Sequence, residues 1–260
     1  MEKTNIDEYV KERFKLTYDE SIYEEALQEY INLTDFKPNE NVFENAGGIT
    51  DPAHLIMRLT TQYYIKLAMA AMKIDLTDDN VSEDLPSGNI GTFGRLAKVW
   101  CGANISDTSE ALSGRWNKKP RMASFPNNGK TEPVFVTTRL DAVCSHHFIR
   151  FGDDNEDDNS LVVVGYIPES KLGGISKINR FVEWCARRGW LQEDLTEFIG
   201  KEVEKAFETS SVYVALLNNK HGCASTRGAC DREAATSTVY ASGKFTENNM
   251  KELIPARFRG

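Results

Sequence analysis

No stretch of this chain is apolar for long enough to cross a bilayer: the most apolar helical segment, 55–74, is interrupted by Arg58 and Lys66. Positive charge is also in short supply. Lys and Arg number 31 against 39 Asp and Glu, a net charge of −8, which argues against a nucleic-acid surface built on overall positive potential. Any anion site must therefore be local. Cysteine is sparse and odd in number, at positions 101, 144, 185, 223 and 230, and no amino-terminal apolar segment with a basic flank resembles a secretion signal. These absences predict a protein of the reducing cytoplasm. What is present, 260 residues with 40% hydrophobic content, suffices for one large domain or a domain with a substantial appendage.

Histidine is scarcer still, and its distribution is informative. Three of the four histidines fall in two short cysteine-containing clusters, Cys144-Ser145-His146-His147 and His221-Gly222-Cys223. Taken singly, a free cysteine is ordinarily a small buried residue and a histidine beside a strand is ordinarily hydrogen-bonded and structural. Together the clusters offer two thiolates and up to three imidazoles, the sulfur and nitrogen mixture that zinc accepts. C-x-x-H followed far downstream by H-x-C is no zinc-finger spacing. It suits an open site, in which three protein ligands leave a position for water whose pKa the metal lowers toward ~7. The pattern points to a hydrolytic metal centre.

Along the chain, residues 1–50 read as a helical extension: Tyr23, Ala26, Leu27, Tyr30 and Ile31 keep helical spacing, and a Gly-, Asn- and Pro-containing loop follows at 36–52. Residues 51–131 read as a helical and loop region, with a helix at 52–74 and a shorter one at 92–100 carrying Arg95 and Lys98. From 132 to 260 the period changes. Strands are expected at 133–143, 161–167, 211–217 and 235–245, and two helices lie between the second and third, the latter with Gly200 as a local weak point. The order predicts an α+β fold: a four-stranded antiparallel sheet with both helices on one face, preceded by a helical amino-terminal region. The open edges of such a sheet favour closure through oligomerisation. The acidic run 153–158 reads as a solvated hairpin tip.

At this point the chain resembles a known family. Cys144-Ser145-His146-His147-Phe148, Gly165-Tyr166-Ile167-Pro168, Gly174-Ile175-Ser176-Lys177-Ile178-Asn179-Arg180, Gln192-Glu193-Asp194-Leu195-Thr196, and His221-Gly222-Cys223 followed by Arg227-Gly228 stand in the order found in GTP cyclohydrolase I. The resemblance runs from about Lys73 to Phe245 and leaves residues 1–50 outside it. It implies the tunnelling fold, assembled as a homo-oligomeric ring, usually a decamer of two pentamers with active sites at subunit junctions. It also implies zinc-dependent hydrolysis of GTP, with opening of the imidazole ring, loss of formate and rearrangement to 7,8-dihydroneopterin triphosphate, a step toward folate-type and other pterins; dGTP is an alternative substrate.

By position, the resemblance assigns the zinc ligands to Cys144, His147 and Cys223. His146 and His221 then become candidate proton carriers, because imidazole titrates near the working pH, with His221 the better placed for ring opening. Ser176 corresponds to a residue near the ribose. Glu193 matches the guanine anchor, with Gln192 beside it in the substrate-binding set; without the resemblance Glu193 reads as a surface residue favoured in a helix first turn. Lys177, Arg180 and Arg227 match phosphate contacts, and Arg95 matches an arginine supplied by a neighbouring subunit, a role for which the guanidinium fork is suited. The chain departs from the family where Ser145 replaces a usual Glu and where Arg188-Gly189-Trp190 replaces Arg-Pro-Gln.

Two other functions compete. Glu169-Ser170-Lys171 resembles part of the signature of tunnelling-fold nitrile reductases acting on deazapurines, which use a cysteine nucleophile and a nicotinamide. A ring that binds purine nucleotides without turning them over is the third.

Overall fold

A computed structural model describes residues 51–82, 84–85, 89–102, 111–115, 117–152, 160–226, 228, 230–247 and 254–258. The extension expected at 1–50 and the acidic tip at 153–158 lie outside the described residues, as does Arg227. The chain divides into two compact units, Met1–Asn117 and Lys118–Gly260. The second begins ahead of the expected boundary at 132, because a strand at Ser124–Pro126 already pairs within it.

In the first unit, helix α1 (Asp51–Ala71) packs against helix α2 (Gly91–Cys101), close to the two helices expected. His54, the one histidine outside the clusters, is buried and donates from Nε2 to the Cys101 carbonyl at 2.6 Å. It is a structural residue. No helix among the described residues is long and apolar enough to cross a membrane.

The second unit contains β1 (Ser124–Pro126), β2 (Val134–Thr138), β3 (Asp141–Val143), β4 (Arg150–Gly152), β5 (Leu161–Tyr166), β6 (Lys171–Gly173), α3 (Ile175–Ala186), α4 (Gln192–Phe207), β7 (Val212–His221), α5 (Gly222–Thr226) and β8 (Ala235–Ala241). Strands β2, β5, β7 and β8 form an antiparallel run in the order β2-β5-β7-β8. The sheet nevertheless has six strands rather than four. The stretch read as a single strand at 133–143 is broken at Arg139 and Leu140, and β3 and β4 form a hairpin that joins the far end of β7 through Phe151↔His221 and Gly152↔Lys220. A separate two-stranded ladder pairs β1 with β6.

Strand alternation sends Val162, Val164, Tyr166, Val212, Val214 and Leu216 to one face and Val163, Tyr213, Ala215 and Leu217 to the other, and all ten are buried. Burial on both sides is why these strands are continuous apolar runs in sequence. The first face is covered by helices whose buried residues recur at three- and four-residue spacing: Ile178, Phe181, Val182 and Cys185 on α3, and Leu195, Ile199, Val203 and Phe207 on α4. The second face is covered by Phe245, Ile254 and Phe258, and Tyr213 donates its hydroxyl to the Phe258 carbonyl at 2.6 Å.

Gly200 sets how closely α4 approaches β8. A Cβ there would lie 2.2 to 2.8 Å from three ring carbons of Tyr240, whose hydroxyl donates to Glu204 one turn further along α4 at 2.9 Å. The helix therefore seats against the strand over a glycine.

Candidate active site

The first cluster forms a tight turn between β3 and β4. Cys144 N–H donates to the Ile149 carbonyl and Phe148 N–H to the Cys144 carbonyl, both at 2.9 Å, with Phe148 in the left-handed region at φ 54°. The segment before α4 clamps this turn: Cys144 bridges Trp190 in parallel, Ser145 N–H donates to the Trp190 carbonyl, and Trp190 N–H donates to the Val143 carbonyl. Trp190 is itself buried, packs its ring 4.8 Å from that of Phe198, and donates Nε1–H to the Cys185 carbonyl at 2.6 Å. The Arg188-Gly189-Trp190 departure from the family thus supplies core packing, with Arg188 also buried and its guanidinium 4.5 Å over the Trp184 ring. Cys144 is buried, His147 half-buried and His146 exposed, the two imidazoles 4.6 Å apart.

The second cluster ends β7 and opens α5. Phe151 of β4 lies directly opposite His221, and their rings stack at 4.6 Å and 5°. Gly222 keeps the two clusters in contact, since a Cβ there would fall 2.3 Å from Ile149 Cγ2 and 3.1 Å from the Arg150 carbonyl oxygen. Cys223 follows, half-buried at the second position of α5. Residues more than seventy positions apart are thereby set side by side. Among the described residues no three His, Cys, Asp or Glu side chains converge as a metal-holding group. What fits zinc is the donor set, two thiols and an imidazole, on adjoining backbone segments with the close approach of Gly222 to Ile149.

Behind His221 lies a polar network that the sequence did not reveal. Gln192, the first residue of α4, is buried, and its amide bonds His221 Nε2 at 2.8 Å on one side and reaches β8 on the other. Strand β7 carries a bulge there: Thr236 pairs with Asn219 and Thr238 with Leu216, so Leu217 and Asn218, the latter at φ 53°, stand opposite the single residue Ser237, whose Oγ accepts from Asn218 N–H. Bulges recur beside active sites because they re-aim side chains. Burial holds the His221 pKa below its ordinary value; nearby Glu193 opposes the shift and His147 adds to it. Burial thus favours its neutral form.

Of the remaining predicted residues, Glu193 is exposed in the first turn of α4. Ser176 and Arg180 are exposed and Lys177 half-buried in the first turns of α3, where positions three and four apart share a face. Arg95 is exposed on α2, in the first unit. Gln192, expected to touch substrate, is turned inward instead, its amide committed to His221, β7 and β8. Thr196, one turn beyond Gln192, shares its sequence motif; Phe151 and Thr238 had no sequence signal. Glu169-Ser170-Lys171 holds the β5–β6 connection to the loop after α4. Glu169 accepts from Ser210 N–H and Oγ at 2.8 Å each, and Ser170 and Lys171 both bond Glu208.

The profile of the GTP cyclohydrolase I family matches residues 87–256, and with it the five motifs. The chain belongs to the GTP cyclohydrolase I family. Relatives named GTP cyclohydrolase 1 include that of Wigglesworthia glossinidia brevipalpis, 30% identical over 196 residues, covering 74% of this chain and 80% of the relative. That of Klebsiella pneumoniae (strain 342) is 30% identical over 205 residues, covering 76% and 81%. Among solved structures, the apo form of the archaeosine synthase QueF-Like is 22% identical, covers 43% of this chain and 94% of its own, and has a TM-score of 0.32. The α+β architecture, with its antiparallel sheet and helices on one face, is the tunnelling fold of the GTP cyclohydrolase I family, and that family is one of enzymes.

Proposed function

We propose that this GTP cyclohydrolase I family member hydrolyses GTP by opening the imidazole ring, releasing formate and rearranging the remainder to 7,8-dihydroneopterin triphosphate. The observation that supports the reading is the Phe151↔His221 register, which pairs the strand following the first cluster with the strand that ends in the second. Cys144, His147 and Cys223 would hold one zinc, which supplies Lewis-acid activation of water. His221, held in place by Gln192, exchanges a proton with the opening ring, and exposed His146 is a second carrier. Glu193 accepts from the amino and ring N–H groups of guanine, a pairing in which one carboxylate takes two donors. Ser176 serves the ribose, and Lys177, Arg180 and Arg227 serve the triphosphate, concentrating positive charge locally on an acidic chain. Arg95 comes from a neighbouring subunit of a homo-oligomeric ring, in the family manner a decamer.

The experiment is purified protein with GTP and, separately, dGTP, followed for formate and for an oxidisable fluorescent pterin, together with elemental analysis. About one zinc per chain and stoichiometric formate are expected. Nucleotide binding without formate would reduce the protein to a binding ring. Full metal and activity in Cys223→Ser would overturn the ligand assignment.

A further inference from the structure

The buried network around Gln192 fixes more than a side-chain position. The Gln192 amide nitrogen donates to the Thr236 carbonyl and to Thr238 Oγ1, each at 3.1 Å, with the Leu216 carbonyl at 3.5 Å. Thr196 Oγ1 lies 2.7 Å from the Gln192 carbonyl, to which it must donate, so it accepts from Thr238 Oγ1 at 2.6 Å, and Thr238 in turn accepts from the amide. Every proton in this ring of bonds has one consistent place. Reversing the amide would aim its oxygen at two backbone carbonyls, so Oε1 must face His221. A carbonyl oxygen only accepts; the bond at 2.8 Å is therefore donated by His221 Nε2–H.

We infer that Gln192 is a positioning residue that fixes the orientation of His221 and its Nε2–H tautomer, leaving Nδ1 as the acceptor nitrogen of the ring. The inference rests on the proton-carrier role of His221 proposed above. Stacking on Phe151 fixes the ring plane, and Gln192 fixes which edge faces the protein. The role differs from the direct substrate contact that the family resemblance suggested for this position.

Gln192→Met keeps the volume and removes the acceptor. The expected result is a kcat lowered by up to roughly 100- to 10,000-fold, the range in which proton-transfer assistance falls, with the KM for GTP and the zinc content unchanged. In a His221→Ala background the same substitution should leave the residual kcat as it was, since Gln192 acts through that ring. A raised KM with kcat retained, or losses that multiply in the double variant, would show contact with substrate or general structural damage and overturn the inference. A second readout needs no turnover. With histidine nitrogens labelled with ¹⁵N, and the His221 signals assigned by their loss in His221→Ala, the proton should sit on Nε2 in the unaltered protein and lose that preference in Gln192→Met. A proton on Nδ1 in the unaltered protein refutes the inference whether or not GTP is consumed, whereas absence of formate with the proton on Nε2 refutes only the proposed reaction. Should Gln192→Met fold poorly, Thr238→Val, which removes one acceptor of the amide nitrogen and the donor to Thr196, should lower kcat in the same direction at constant KM; an unchanged kcat there counts against the network.

Discussion

Gly200→Ala separates two opposed effects whose signs are both known. In an exposed helix interior, replacing glycine by alanine gains about 0.5–1 kcal/mol through lower backbone entropy of the unfolded chain. Here the added methyl would meet three carbons of the Tyr240 ring at 2.2 to 2.8 Å, where carbon pairs rest at about 3.5–4 Å. The ring must retreat by about 1 Å. It is tethered by the Tyr240 hydroxyl to Glu204 on the same helix, so retreat strains that bond or lifts α4 from β8. Overpacking of this kind costs about 1–3 kcal/mol, which exceeds the propensity gain. The expected net loss is up to about 2.5 kcal/mol, a drop in Tm of up to roughly 5–10 °C for a domain of this size. In a Tyr240→Ala background the obstruction is gone, and the same substitution should stabilise by about 0.5–1 kcal/mol. Thermal and urea unfolding of the four proteins of this cycle measure the inversion. A Gly200→Ala protein more stable than its parent with Tyr240 in place, or an equal shift in both backgrounds, would refute the reasoning. Because α4 carries Gln192 and Thr196 onto Thr236 and Thr238, lifting it should also lower turnover.

Tyr213→Phe removes the donor to the buried Phe258 carbonyl and should cost about 1–3 kcal/mol, read by urea unfolding, with zinc content unaffected. Glu169 has its pKa held below the usual value of 4.5, first by the Ser210 N–H and then by the Ser210 hydroxyl. Its contribution is thus present above that value and lost as pH falls through the lowered one, so the stability difference between the parent and Glu169→Gln should shrink as the pH is taken below about 4.5. Arg95→Ala and His221→Ala, each nearly inactive alone, should recover part of the activity when subunits are mixed and reassembled, because some junctions then join an intact Arg95 to an intact His221. Activity no greater than the sum of the parents, with exchange demonstrated, would place Arg95 outside a shared site.

What the sequence made legible follows from where side chains face two different environments. Strands β5 and β7, buried on both faces, left uninterrupted apolar runs, and the inner faces of α3 and α4 left three- and four-residue spacings; both were readable. The break at Arg139 and Leu140 was not, because apolar residues continue through it and Leu140 is itself fully buried. The hairpin β3–β4 escaped for the same reason: strands of three residues are too short to show a period. At the site, cysteine and histidine were conspicuous through rarity. Gln192 and Thr238 are common residue types whose part in the network depends on a bulge in β7, and two residues, Leu217 and Asn218, set against Ser237 leave no pattern in either strand alone. Gly200 was visible but misread: it is a weak point only for an isolated helix, and against Tyr240 it is the residue that permits the packing.

The placement of His221 illustrates how a site of long sequence separation is held without many bonds of its own. Strand β4 pairs with β7 at two positions only, Phe151↔His221 and Gly152↔Lys220. A slip of one residue would put Lys220 opposite Phe151 and turn His221 to the other face of the sheet, away from Gln192. Two rungs cannot forbid that. The constraint lies further back along the same strand, where Leu161–Tyr166 pairs with Val212–Leu217 over six positions. Both faces of that ladder are packed, so a slip would exchange Tyr213, bonded to Phe258 on one face, with residues seated under α4 on the other. The apolar half of β7 therefore sets the register, and its polar end inherits it. Substitutions in β7 that loosen the core should on this account disturb the His221–Gln192 bond before they unfold the sheet.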